Sequence, residues 1–138
     1  MYVEISALAN DQTNRRITLS DGSNNNRIVT GYNTTSNQIF YFVVVGSSTV
    51  ASGNYTSSDI TQFSKIAIKF KVNDFALWVD GIERQTDTSG AIFSANTLSS
   101  LQFEQGSGRA LFFYGHTKDN RVYNEALTDA QLQTLTTL

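Results

Sequence analysis

The residues of this chain with most chemical potential are aromatic and neutral polar ones. The sole tryptophan, Trp78, stands in "NDFALWVDGIERQTDTSG", residues 73 to 90, two residues before Asp80-Gly81. An aromatic ring beside hydrogen-bonding groups offers a platform for the apolar C–H face of a sugar ring. Tyr32, Tyr55 and Tyr114 lie close to turns and are comparable candidates. His116, the only histidine, is close enough to Tyr114-Gly115 to reach the same ligand. Each has a plainer role open to it. Trp78 equally suits a sheet-covering role against a strand, loop or subunit, with lysine stems lying across it.

Oxygen donors cluster in "SDGSNNN", where Asp21, Asn24 and Asn26 are hard ligands of the kind calcium takes. The loop lacks the spacing and closing glutamate of an EF-hand. The competing reading is a turn whose polar side chains bond their own backbone. No other cofactor is indicated. Catalytic groupings are missing. Glu4, Glu83, Glu104 and Glu125 fall in different segments, and His116 has no serine and acid grouped around it. The reading is therefore a chain that is not an enzyme.

Composition narrows the partners. The 138 residues suit one domain spanning 1–138, and they include no cysteine, which excludes disulfides and thiolate metal sites. The net charge is −2, and Arg15-Arg16 is the only adjacent basic pair, so nucleic acid is not an expected partner. No run reaches the roughly 18 apolar residues of a membrane helix, so no membrane insertion is expected. The opening "MYVEISALA" already reads as a strand. We therefore expect the C-terminal fragment of a longer chain, with Met1 either added or internal.

Period-two alternation dominates the pattern. "RRITLSDGSNNNRIVTGY" reads as two strands around an Asp-Gly and Asn-rich loop. The apolar run Ile39 to Val45 predicts a central strand covered on both faces, and "STVASGNYT" reads as its hairpin partner. "KIAIKFKV", "FALWV" and "IERQ" form a meander through turns at Asn73-Asp74 and Asp80-Gly81. Its alternation puts Trp78 opposite Phe75, Leu77 and Val79, on the lysine side, which predicts the less buried face. Further strands follow in "LSSLQFEQGSG" and "ALFFYGHTKDNRVY". One helix is predicted over 129–137, with Thr128 and Gln131 as a capping box and Leu127 stapled to Leu132.

Two stretches carry a family resemblance. "KIAIKFKVNDFALWVDGIERQTDTSG", residues 65 to 90, resembles the strand–turn–strand core of laminin-G-like, concanavalin-A-like lectin domains. "FYGHTKDNRVYNEALTDAQLQTLTT", residues 113 to 137, resembles their closing strand and helix. The wording is most similar to versions at the C-termini of bacteriophage tail and tail-fibre proteins, with "SDGSNNNRI" and "ALTDAQLQTLTT" carrying that likeness. The resemblance implies an all-β, two-sheet antiparallel jelly-roll sandwich with a short C-terminal helix. It implies a non-catalytic module that binds cell-surface glycan on a host, sometimes with calcium, on a virion and facing outward. It also implies a homo-oligomer, a trimer as such fibres usually are. Two departures matter: Asn120 replaces an apolar residue of the closing strand, and the strands that usually precede this start are not in the sequence. A partner segment or subunit is then expected to cover an open edge at the N-terminal strand. The rivals are a structural virion module for trimerisation, capping or decoration and, behind it, a glycan-cleaving jelly roll.

Overall fold

A computed structural model describes all residues from Met1 to Leu138. Ten strands and one helix follow in chain order: β1 (Tyr2–Ala7), β2 (Arg15–Ser20), β3 (Arg27–Tyr32), β4 (Gln38–Val45), β5 (Ser48–Thr56), β6 (Ser64–Lys71), β7 (Asp74–Val79), β8 (Ile82–Asp87), β9 (Ser100–Gln102), β10 (Gly115–Arg121) and α1 (Asp129–Thr136). They build two five-stranded antiparallel sheets, ordered β10-β1-β6-β7-β8 and β5-β4-β3-β2-β9. This is the expected sandwich of two sheets with a terminal helix.

Alternation decides what each sheet buries. Val3, Ile5, Ile66, Ile68, Phe75, Leu77 and Val79 of the first sheet join Ile17, Leu19, Ile28, Ile39, Tyr41 and Val43 of the second in one core. Burying one such side chain contributes about 1.5–3 kcal/mol, so the sandwich holds without covalent staples. The turns match their residues. Asp80-Gly81 takes positive φ at both positions (52° and 79°), as a two-residue hairpin with right-handed strand twist requires. Gly46-Ser47 between β4 and β5 does the same (56° and 72°).

The helix forms where its caps predict. Thr128 accepts from the Gln131 backbone N–H, and the Gln131 side chain accepts from that of Thr128. It ends one residue earlier than expected, at Thr136. Leu132 is buried, and Leu127, Leu135 and Tyr123 pack beside it onto Tyr2, Ala67, Ala76 and Trp78. Polar tethers fix the docking. Lys69 Nζ lies 2.6 Å from Asp74 and 2.8 Å from Asp129 in the first turn of α1. The Gly81 backbone N–H donates to Thr136 Oγ1 at 3.1 Å, and Lys65 Nζ donates to the Thr137 carbonyl at 2.7 Å.

Two expectations are corrected. The lysine side of the meander is not partly open at Trp78, because α1 lies across it; Ala76 is fully enclosed and Trp78 is 7% exposed. Nor is there an open edge at the N-terminal strand. β1 is interior, paired to β6 on one side and β10 on the other. The edge falls instead to β10, which explains Asn120: its partner is Val3, and most of the outer strand is exposed. Charges at Lys118, Asp119 and Arg121 guard that edge against pairing with other chains.

Candidate functional site

The five predicted ligand-contacting residues do not converge. Trp78 is packed under α1 with its indole N–H buried and without a protein acceptor. Tyr32 is 1% exposed in the core, its ring stacked 6.1 Å from Phe113, and burial raises its phenol pKa well above the ordinary value. Tyr55, half-buried on β5, carries the Arg84 guanidinium 4.2 Å from its ring centre. Tyr114 and His116 are exposed neighbours at the start of β10; Tyr114 leans on Phe112, and His116 on Phe63 at 6.3 Å. Of the five, only these two lie together at the surface.

The loop between β2 and β3 spends its oxygens on itself and on the neighbouring β4–β5 turn. Asp21 accepts from the Ser23 backbone N–H (2.8 Å), the Ser23 hydroxyl (2.6 Å) and Asn26 Nδ2 (2.8 Å). Asn26 Oδ1 accepts from the Gly46 N–H at 2.9 Å, and Asn24 Oδ1 from Arg27. These bonds, the serine and Asn26 contacts first, hold the Asp21 carboxyl below the usual aspartate range. The geometry is that of a self-bonded turn, the plainer of the two readings of this cluster.

A cleft at the rim of the sandwich encloses a cavity of about 650 Å³. It falls in the size range of small-ligand sites. One wall is the connection between β8 and β9. There Ile92, Phe93 and Leu98 anchor on the core, and Ser94, Asn96 and Thr97 form the tip. The tip is a turn in which the Thr97 N–H and hydroxyl both donate to the Ser94 carbonyl (3.3 and 2.8 Å), with Asn96 at φ 62°. The other wall is the stretch from Val122 to Ala126, between β10 and α1. Phe70, Lys71, Val72 and Leu19 complete the lining. The side chains of Asn96, Asn124, Ser94 and Thr97 and the rings of Phe70, Phe93 and Tyr123 thus line one opening. That mixture suits a neutral, hydroxyl-rich ligand with apolar faces. One carboxyl, Glu125, lines it, whereas glycoside hydrolysis takes two carboxyls across the scissile bond.

Sequence reasoning missed this cleft. The signal was the segment from Thr88 to Ser99, which forms no strand yet carries Ile92, Phe93 and Leu98. Apolar residues in so long a connection mark a loop packed in place.

The comparisons bear on the fold. A family model described as the concanavalin A-like lectin/glucanases superfamily matches residues 3–133. No curated protein matches in sequence. Among solved structures, the carbohydrate-binding module CBM40 of the Ruminococcus gnavus IT-sialidase, bound to α2,3-sialyllactose, superposes with a TM-score of 0.72 at 12% identity, covering 98% of this chain and 80% of that one. An S-layer domain-containing protein from Clostridium thermocellum (residues 221–444) aligns at 13% identity over 86% of this chain and 60% of that one, with a TM-score of 0.42.

Proposed function

The chain belongs to the concanavalin A-like lectin/glucanases superfamily, and from that premise we propose that it is a non-catalytic carbohydrate-binding module with the rim cleft as its saccharide site. The observation that carries this reading is the cleft lining, in which Asn96, Asn124, Ser94 and Thr97 share one opening with Phe70, Phe93 and Tyr123. The glycan ligand of the sialidase module, on the same fold, supports it. The single carboxyl at the cleft favours binding over cleavage.

The finer proposal places the module at the tip of a phage tail fibre, on the virion and facing outward, where it attaches to host glycan. Its support is the wording of residues 113–137 and of "SDGSNNNRI". A shallow, wet site binds weakly, and several copies on one fibre raise the effective affinity.

A glycan array, with and without calcium, tests both parts. We expect signal for a set of cell-surface glycans, abolished by Tyr123→Ala and weakened by Asn124→Ala with the fold intact by circular dichroism. Absence of signal under every condition, together with self-association of the domain, refutes the binding reading in favour of a structural virion module.

A further inference from the structure

The outer face of the second sheet carries a feature that saccharide binding at the rim does not use. Alternation along β2 and β3 puts Arg16, Thr18 and Ser20 on the same face as Arg27, Val29 and Gly31, and β4 adds Phe40 and Phe42. The two rings stack 5.9 Å apart. The Arg16 guanidinium carbon lies 5.7 and 5.5 Å from their centres, and that of Arg27 lies 5.3 Å from Phe42. Two cations therefore share one aromatic ring.

Such an arrangement is costly without an anion. Like charges in one half-desolvated site repel, and each guanidinium prefers a planar acceptor such as a carboxylate. Four other sheet-borne cations have one. Arg15 pairs with Asp11, Lys69 with Asp74 and Asp129, Lys118 with Glu4, and Arg121 with Asp119. Arg16 and Arg27 pair with no acid, and the buried Nε of each, like those of Arg15 and Arg84, has no protein acceptor. Burial first, and then the charge of Arg27, lower the pKa of Arg16 below the ordinary value.

The site is also braced. Beneath the arginines, Thr18 and Val29 are fully enclosed. Beside them the segment from Phe103 to Leu111 crosses the sheet, held where Thr18 Oγ1 donates to the Glu104 carbonyl at 2.6 Å. Arg27 donates to the Gln105 carbonyl at 2.8 Å and to Asn24, which fixes one side of its fork. Gly106 sits on the Thr18 methyl at φ 95°, where a Cβ would meet that methyl at 2.6 Å. Across β4, exposed Ser52 and Asn54 lie opposite Phe42 and Phe40 and offer neutral hydrogen-bonding groups.

We propose that Arg16 and Arg27 form a seat for the carboxylate or sulfate of an acidic saccharide, apart from the rim cleft. The saccharide carrier rests on the function proposed above, whereas the anion seat rests on the arginine pair alone. One anionic group bridging the two guanidiniums neutralises their repulsion and accepts several charge-assisted hydrogen bonds at once. Ser52 and Asn54 then meet the sugar hydroxyls.

The test is an NMR titration of the whole domain with glucuronate, galactose 6-sulfate, glucose and inorganic sulfate. Both charged sugars are expected to shift the Nε–H signals of Arg16 and Arg27 and the Phe42 amide, and glucose is expected to leave them in place. Arg16→Ala and Arg27→Ala each weaken charged-sugar binding about tenfold or more, the worth of one charge-assisted contact. Arg16→Lys, which keeps charge and packing, falls between them and the wild type and serves if alanine unfolds the sheet. Added salt weakens binding throughout. Tyr123→Ala at the cleft leaves these shifts unchanged, so failure of the rim site and failure of the seat read out separately. Inorganic sulfate binding as tightly as galactose 6-sulfate overturns the saccharide assignment. Charged sugars that bind no better than glucose, or that still bind after both arginines are removed, overturn the proposal entirely.

Discussion

Replacing Trp78 by alanine removes the largest side chain from the seam between α1 and the first sheet. The indole is 7% exposed and enclosed by Tyr2, Ala67, Ala76 and Leu132. Truncating a tryptophan so placed costs about 3–5 kcal/mol, through lost transfer energy and the cavity left behind. A domain of this length holds about 7–20 kcal/mol in total. The variant should therefore fold but lose a substantial share of its stability. With a urea dependence of about 2 kcal/mol per molar, its midpoint falls by about 1.5–2.5 M in denaturation followed by circular dichroism. Phenylalanine at the same position separates the contributions. It deletes an N–H that is buried without an acceptor, worth about 1–3 kcal/mol, and gives up part of the ring volume. The two effects largely cancel, so Trp78→Phe stays within about 1 kcal/mol of the wild type. A shift below about 0.5 M for alanine, or a phenylalanine variant as weak as alanine, refutes the view that this ring is the docking surface of the helix.

Three further outcomes are expected. Leu132→Ala, on the other side of the seam, costs about 2–4 kcal/mol and lets water reach Trp78, read as a red shift of the sole tryptophan's emission. Gly106→Ala forces a positive-φ position and crowds Thr18, costing about 1–3 kcal/mol by thermal denaturation; it also loosens the segment that holds Arg27, so charged-sugar binding weakens. When Met1 carries a free amino group, burial lowers its pKa from 8.0 to about 5. The unfolded amine binds a proton that the folded one rejects between those values, so stability rises as pH climbs from about 5 to 8 and levels off above; acetylating Met1 flattens that slope in melting temperatures.

Most strands were legible because they are short, local and written in period two, and β4 because it is an unbroken apolar run. The meander, the β2–β3 hairpin, the capping box and the Leu127–Leu132 staple all rest on residues close in sequence. What escaped was set by distant partners. Trp78 reads as semi-exposed until α1, more than fifty residues later, covers its face. β1 reads as an edge until β10 pairs with it. The cleft joins residues 92–98 to 122–126, which nothing local connects. The arginine pair lay between these extremes. Alternation in the hairpin alone sets Arg16 and Arg27 on one face, but only the β3–β4 register brings Phe42 beneath them.

The position of β1 governs how the protein is made. Val3 finds Ile66 on one side and Asn120 on the other, so the first strand leaves the ribosome with both flanks bare. One flank waits for β6 and the other for β10, the last strand of the domain. During that interval an apolar ribbon is exposed to nascent neighbours, which makes slow codons between β1 and β10 a hazard for aggregation. A stop before β10 would yield a chain with the first sheet permanently unfinished.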